Sequence, residues 1–164
     1  MADYSKTTVM VIEDDPHYMR QMLRILKEQG FAEKNITTAM SFDEARTKAE
    51  AMKAPDLIVT DYLMPGGDGI MVLEALNHLW PQKPQGHLFH PAIMVTSDPD
   101  GFLTRKLQRG SLTGADALEH GVLLKVVPKA ENAGEEGVIK AEIRTVLQNL
   151  DKPLPAKKRA ARKR

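Results

Sequence analysis

Residues 56–69 read DLIVTDYLMPGGDG and combine a short apolar run, an acidic residue and a glycine-rich loop. The apolar run at 57–59 predicts a buried strand, and Asp61 lies just beyond it. Pro65 and the neighbouring glycines disfavour regular structure, so we expect an irregular loop until a helix begins at Ile70. A carboxylate therefore lies where a buried strand feeds a loop and a helix, which is where open α/β sheets bind ligands.

The same unit of a short apolar run followed by an amphipathic segment recurs along the chain. The apolar runs that predict strands are 8–12, 57–59, 92–95 and 122–127, and the short β-branched run 36–40 predicts the second strand. The segments that predict helices are 17–30, 42–52, 70–80, 102–108, 115–120 and 135–150, with Asp15 and Ser41 as N-caps of the first two. This alternation indicates an α/β fold with a doubly wound, five-stranded parallel sheet, most simply in the order 2-1-3-4-5.

The composition suits one domain, which we place at residues 6–150. The chain has 164 residues, 42% of them apolar, which is enough for a core without disulfides or metal staples. It has no cysteine, which excludes thiol catalysis and cysteine-based zinc sites. No apolar run approaches the ~20 residues of a transmembrane helix, and the first residues lack the apolar core of a signal peptide. We therefore expect a cytoplasmic protein without a transmembrane segment.

The positive charge is concentrated at the carboxyl end. Residues 152–164 contain seven Lys or Arg and no acid, while the rest of the chain has 22 acidic and 16 basic residues. We interpret 151–164 as a disordered, solubilising tail. The alternative is a weak, nonspecific contact of residues 157–164 with an anionic surface, such as nucleic acid, a membrane or an acidic partner.

Chemically active side chains follow the predicted strands, and parallel strands bring these ends to one edge of the sheet. They are Glu13 and Asp14 after the first strand, Asp61 after the third, Thr96 and Ser97 after the fourth, and Lys129 or Lys125 at the fifth. Carboxylates crowded together repel each other, and Mg²⁺ is the usual remedy. A lysine and a hydroxyl opposite the metal suit a bound phosphoryl group, with Asp61 as the nucleophile that accepts it.

At these positions the chain resembles the response-regulator receiver domain of two-component signalling. The resemblance covers roughly residues 6–150, and its most specific part is the Asp-x-x-Met-Pro-x-x-Asp-Gly spacing that begins at Asp61. The matching stretches are VMVIEDDP at 9–16, IVTDYLMPGGDG at 58–69, IMVTS at 93–97 and VVPK at 126–129. The resemblance implies the flavodoxin-like (βα)5 receiver fold.

The resemblance also implies a role for each residue of the site. Asp61 would accept a phosphoryl group from the phosphohistidine of a sensor histidine kinase or of a phosphotransfer protein, as in a phosphorelay. Asp14 would bind Mg²⁺ directly, Glu13 would bind it through water, and the Leu63 carbonyl would be a further ligand. Thr96 would donate a hydrogen bond to the phosphoryl group.

The active-site lysine has two candidates in this sequence. The family usually has Lys-Pro, whereas here Ala130 follows Lys129 and Val126 follows Lys125. We favour Lys129, because Val-Val-Pro-Lys matches the family's approach to its lysine and because the last helix then follows at nearer the expected distance. Lys125 stays open as the alternative.

The function implied is that of a single-domain response regulator that signals through phosphorylation-dependent contact with an unidentified downstream protein. It would not be an enzyme beyond assisting its own phosphorylation and dephosphorylation. A silent receiver-like module would lack the acid pair, Asp61 or the lysine. A phosphatase with an aspartyl nucleophile would have a second aspartate two residues on, where this chain has Leu63. A flavin carrier would not place Glu13, Asp14 and Asp15 beside a phosphate.

The loop at 81–91, with His87 and His90, is interpreted as a solvated loop with buried aromatic residues rather than a metal site.

Overall fold

The computed structural model describes residues 3–82, 90–97, 99–100 and 125–149. The strands in these residues are β1 (Val9–Ile12), β2 (Ile36–Ala39), β3 (Leu57–Thr60), β4 (Leu63–Met64), β5 (Gly67–Asp68), β6 (Ala92–Thr96) and β7 (Lys125–Pro128). The helices whose two ends both lie in them are α1 (Pro16–Glu28), α2 (Phe42–Glu50), α3 (Gly69–Leu79) and α4 (Glu136–Gln148). Short 3-10 helices at Glu33–Asn35 and Ala133–Glu135 precede β2 and α4.

Five strands form one parallel sheet in the order β2-β1-β3-β6-β7. In its register Val11 of β1 lies between Thr38 of β2 and Val59 of β3. Because β6 and β7 are the fourth and fifth strands of this sheet along the chain, the order is the predicted 2-1-3-4-5. The predicted α/β, doubly wound fold is confirmed.

The three inner strands are buried on both faces. Every residue of β1, β3 and β6 is buried, whereas the edge strands β2 and β7 are partly exposed. Side chains alternate between the two faces of a strand, so burial of consecutive residues requires a layer on each face. This explains why these strands appear in the sequence as unbroken apolar runs.

Helices cover both faces of the sheet and create two cores. The core under α2 and α3 includes Ala45, Ala49, Leu73 and Leu76. The core under α1 and α4 includes Ile25, Leu26, Ile139 and Ile143. This two-sided packing buries both faces of the sheet and leaves its carboxyl edge for the site.

Side-chain caps fix where the helices begin. The Asp15 carboxylate accepts hydrogen bonds from the backbone N–H groups of His17 and Tyr18, and the Ser41 hydroxyl oxygen accepts one from Glu44. Both predicted caps are confirmed. Asp68 caps α3 by accepting a hydrogen bond from the Met71 N–H at 2.9 Å, which we did not predict. Each cap satisfies a backbone donor that the first turn leaves unpaired.

The glycine-rich loop is more regular than its composition predicts. We expected no regular element between Asp61 and Ile70, but β4 and β5 form a two-residue antiparallel ladder. Gly66 makes the reversal between them with φ of +89°, a conformation that glycine adopts without steric cost. The ladder brings the chain back toward Asp61, where α3 begins.

Several predicted elements lie outside the described residues. They are the helices at 102–108 and 115–120, residues 122–124 of the fifth predicted strand, and the tail at 151–164. Among the described helices, none combines the length and the apolar character that crossing a membrane requires.

Candidate functional site

Backbone hydrogen bonds extend the sheet into the segments that carry the site. The Glu13 N–H donates to the Ala39 carbonyl at 3.0 Å, and the Asp61 N–H donates to the Ile12 carbonyl at 2.9 Å. On the far side of β6, the Lys129 N–H donates to the Thr96 carbonyl at 2.9 Å. These bonds fix the backbone of the functional residues to strand ends that the two cores hold in place.

The three predicted carboxylates meet at this edge. Glu13, Asp14 and Asp61 each offer an oxygen, and these oxygens all lie within 4.8 Å of one another. Glu13 and Asp61 are each 6% exposed, while Asp14 is half-buried. The structure therefore brings together the acids that the sequence placed on separate strands.

Of the two candidate lysines, the structure places Lys129 against the acids. Its Nζ lies 3.1 Å from Glu13 Oε2 and 3.2 Å from Asp61 Oδ2, and its side chain is only 7% exposed. Lys125 begins β7 at the opposite end of the strand, where its Nζ lies 3.5 Å from Glu142 Oε2. The geometry thus favours Lys129 as the lysine of the site.

Backbone donors orient the two buried carboxylates. The Tyr62 N–H donates to Asp61 Oδ1 at 2.7 Å, and the Asp15 N–H donates to Glu13 Oε1 at 3.1 Å. With Lys129 at Asp61 Oδ2, each oxygen of Asp61 has a positive or polar neighbour. The nucleophile candidate is therefore held in one orientation before any ligand arrives.

Burial dominates the electrostatics of the site. Burial, followed by the charge of Asp61, raises the pKa of Glu13 to about 7. Burial also raises the pKa of Asp61, although Lys129 and the Tyr62 N–H act against it. Burial alone would lower the pKa of Lys129, but Glu13 and Asp61 outweigh it and raise that pKa above its ordinary value. One ammonium therefore does not fully compensate three crowded carboxylates.

The donor set fits a hard divalent cation such as Mg²⁺. All three side-chain donors are carboxylate oxygens, the ligand type that Mg²⁺ prefers. Lys129 contacts Glu13 and Asp61, whereas the Asp14 carboxylate has no hydrogen bond or ion pair among the described residues. The Asp14 carboxylate is therefore a candidate ligand for such an ion. Leu63, whose carbonyl is the predicted fourth ligand, lies in β4 with an exposed side chain.

Thr96 ends β6 at the same edge of the sheet. It is 5% exposed, and its ladder partner in β7 is Pro128, the residue before Lys129. Thr96 and Lys129 are therefore neighbours across the ladder, as a shared role toward one anion requires.

Two contacts near the lysine were not predicted. The Tyr18 ring centroid lies 4.3 Å from Lys129 Nζ, and Gln21 Nε2 donates to the Ala130 carbonyl at 3.1 Å. The signal in the sequence was Gln21 itself, a polar residue next to Met22 on the apolar face of α1. It is 7% exposed and needs a partner inside the protein.

Trp80, which precedes the 81–91 loop, and His90, which lies in it, are both buried. Trp80 and His90 are 8% and 3% exposed and pack edge to face, and His90 Nε2 lies 2.8 Å from the Trp80 carbonyl. His87 lies outside the described residues.

The sequence matches one protein family over most of its length. A family model described as the response regulator receiver domain matches residues 9–112. The chain is 32% identical over 94 residues, 57% of its length, to the alkaline phosphatase synthesis transcriptional regulatory protein PhoP of Bacillus subtilis, of which it covers 35%. It is 30% identical over 118 residues, 72% of its length, to a protein-glutamate methylesterase of Hahella chejuensis, of which it covers 28%. The chain thus spans about a third or less of these curated relatives.

Solved structures share the fold. The response regulator protein TrrA from Thermotoga maritima, in complex with Mg²⁺ and BeF, superposes with a TM-score of 0.59 at 20% identity, over 85% of this chain and 98% of that one. A CheY-like receiver domain protein from Methanospirillum hungatei superposes with a TM-score of 0.62 at 20% identity, over 89% of this chain and 97% of that one.

Proposed function

Because the chain belongs to the response regulator receiver domain family of two-component signalling, we propose that Asp61 accepts a phosphoryl group in a Mg²⁺-dependent reaction. The donor is the phosphohistidine of a sensor histidine kinase or of a phosphotransfer protein. The observation that carries this proposal is the buried Asp61 carboxylate, with Lys129 Nζ at 3.2 Å and the oxygens of Glu13 and Asp14 within 4.8 Å.

The chain's own residues supply position and charge for this transfer. An Asp61 oxygen attacks phosphorus, an acyl phosphate forms, and the P–N bond of the phosphohistidine breaks as the imidazole leaves. The Tyr62 N–H keeps the carboxylate oriented, and Lys129 offsets the charge of the phosphoryl oxygens. A bound Mg²⁺, held by Asp14 and Asp61 with Glu13 and the Leu63 carbonyl nearby, would supply the remaining charge neutralisation.

Thr96 is proposed to respond to phosphorylation of Asp61. Its hydroxyl would donate to a phosphoryl oxygen, and β6 would transmit the change to the surface that contacts a downstream protein. Its buried place beside the Lys129 segment supports this role. The receiver is proposed to span residues 6–150, with a basic tail after it, and a cytoplasmic location stays a prediction.

We propose no reaction of this chain on other substrates. One relative is a methylesterase, but the chain covers only 28% of that protein. The residue two positions after Asp61 is Leu63, with 59% of its surface exposed, where an aspartyl phosphatase would need a second acid. Self-phosphorylation and self-dephosphorylation are therefore the chemistry that we assign to the site.

Intact-mass measurement tests the proposal. Incubation with acetyl phosphate and Mg²⁺ should add one phosphoryl group to the wild type and none to Asp61→Asn. Asp43→Asn is a matched control, because Asp43 is an exposed residue of α2, and it should be phosphorylated like the wild type. Absence of any mass increase in the wild type would refute the assignment.

A further inference from the structure

The ammonium of Lys129 has an aromatic neighbour in addition to its two carboxylates. Its Nζ lies 4.3 Å from the centroid of the half-buried Tyr18 ring, well within the distance of about 6 Å at which a cation and a ring face attract. A lysine side chain is long and flexible, so each such contact narrows the positions of its charge. Tyr18 therefore adds a constraint that the acids alone do not supply.

Helix α1, which contains Tyr18, also contacts the backbone that follows Lys129. Gln21 Nε2 donates to the Ala130 carbonyl at 3.1 Å, and the Tyr18 hydroxyl lies 3.4 Å from both carboxylate oxygens of Glu131. Ala130 is 1% exposed, has no polar side chain, and lacks the ring with which proline fixes φ. The position of this segment thus depends on contacts from outside it.

Helix α1 is itself anchored to the acids of the site. Asp15 caps its first turn and donates its backbone N–H to Glu13 Oε1. Farther along, Arg24 makes two hydrogen bonds to the buried Glu136 carboxylate of α4, at 2.6 and 2.8 Å. Helix α1 therefore contacts both Glu13 and the residues that follow Lys129, and its ion pair with α4 holds it in place.

We propose that Tyr18 and Gln21 are positioning residues that hold the Lys129 ammonium for phosphoryl transfer to Asp61, an inference that rests on the proposed function. Tyr18 limits the ammonium directly through its ring, and Gln21 fixes the backbone from which the lysine side chain extends. A charge already in place does not have to be ordered in the transition state, so holding it accelerates transfer.

The rate of phosphorylation by acetyl phosphate at saturating Mg²⁺ tests the role of Tyr18. Tyr18→Leu should lower the rate constant roughly threefold to tenfold, the range expected for losing a partly buried cation–ring contact. Tyr18→Phe keeps the ring and should retain most of the rate. Arg20→Gln, on the exposed side of α1, is the control and should match the wild type. A Tyr18→Leu protein with the wild-type rate would overturn the proposal.

A double-mutant cycle separates positioning from a merely structural effect. In a Lys129→Met background the ring has no ammonium to hold, so adding Tyr18→Leu should change the rate no further. An equal loss in both backgrounds would show that Tyr18 acts without the lysine and would overturn the inference. Gln21→Leu, which removes the donor to Ala130, should slow phosphorylation in the same direction, and an unchanged rate would exclude Gln21.

An NMR measurement on the unphosphorylated protein keeps this test independent of the proposed function. The ring should displace the resonances of the Lys129 methylene next to the ammonium upfield in the wild type and in Tyr18→Phe, but not in Tyr18→Leu. Lys129→Arg identifies the signal. If the wild type is not phosphorylated, the proposed function is wrong, but the chemical shift still shows whether the Tyr18 ring contacts the Lys129 side chain. Identical resonances in the wild type and the leucine variant would refute it.

Discussion

Glu13 is the residue at which burial matters most for the chemistry of this protein. Glu13 directly follows β1 and is almost fully buried beside Asp61. The Lys129 ammonium contacts the carboxylates of both residues. Because the pKa of Glu13 is raised to about 7 even with Lys129 beside it, this acid retains its proton up to near neutral pH unless a further cation such as Mg²⁺ compensates its charge. Stability and metal binding are linked through this one side chain.

We expect the metal-free protein to lose stability as pH rises from about 5 to about 8. The ordinary pKa of Glu13 is 4.5, and folding raises this pKa to about 7, so the folded state binds an extra proton between these values. Raising pH through this window removes that proton and lowers the free energy of unfolding, and Asp61 acts in the same direction. Urea unfolding with a chelator present measures the effect, with Glu13→Gln as the reference. Parallel curves for the two proteins would contradict the prediction.

Asp14 should contribute most of the specific affinity for Mg²⁺, because its carboxylate has no competing ion pair among the described residues. Asp14→Asn removes one charge from the ligand set and should weaken Mg²⁺ binding about tenfold or more. Calorimetric titration at pH 8 measures the change, and the exposed Glu33→Gln serves as a control for general charge effects. If Asp14→Asn binds Mg²⁺ as tightly as the wild type, Asp14 is not a ligand.

At the scale of elements, the chain packs closely at the junction between Asp61 and α3. The Gly69 N–H donates to the Tyr62 carbonyl at 2.6 Å. A Cβ at Gly69 would overlap the Asp61 carbonyl oxygen and would lie 2.8 Å from Cε of Met94. Glycine is therefore required there by packing rather than by its backbone angles.

Gly69→Ala should destabilise the protein by about 1–3 kcal/mol, because the new methyl group meets backbone that the sheet holds in place. Chemical unfolding measures the loss. Gly137→Ala is the matched control, since nothing lies within 4 Å of a Cβ there and alanine favours the helix by about 0.5–1 kcal/mol. Equal stability of Gly69→Ala and the wild type would contradict the prediction, because it would show that the backbone at this junction shifts to make room for the methyl group.

The elements themselves were largely predictable, because β1, β3 and β6 consist mainly of continuous apolar residues and Asp15 and Ser41 mark where two helices begin. The hairpin β4–β5 was not, since a two-residue ladder has no period that a sequence can display. The choice between Lys125 and Lys129 also stayed open, because apolar residues lie around both. Only the register of β7 places one lysine at each end of the strand.

At the scale of the whole molecule, the site follows from the topology. Parallel strands from distant parts of the chain end at one edge, so Glu13, Asp61 and Thr96, together with either Lys129 or Lys125, could be grouped from sequence order alone. The support from α1 could not, because Gln21 and Ala130 are 109 positions apart and touch only once both cores have formed. Contacts between residues so far apart produce only weak signals in the local sequence, and here the signal was a polar residue, Gln21, on the apolar face of α1.

The presence of one ammonium beside three acids has a consequence for the kind of ion that the site prefers. With every group ionised, the resting pocket has a formal surplus of two negative charges, which one divalent ion cancels and one monovalent ion does not. Formation of the proposed acyl phosphate at Asp61 would remove one of these charges but would bring the charges of the phosphoryl oxygens. The surplus then grows, so the modified protein should attract the divalent ion more strongly than the resting protein. By thermodynamic reciprocity, the same ion favours the modified form.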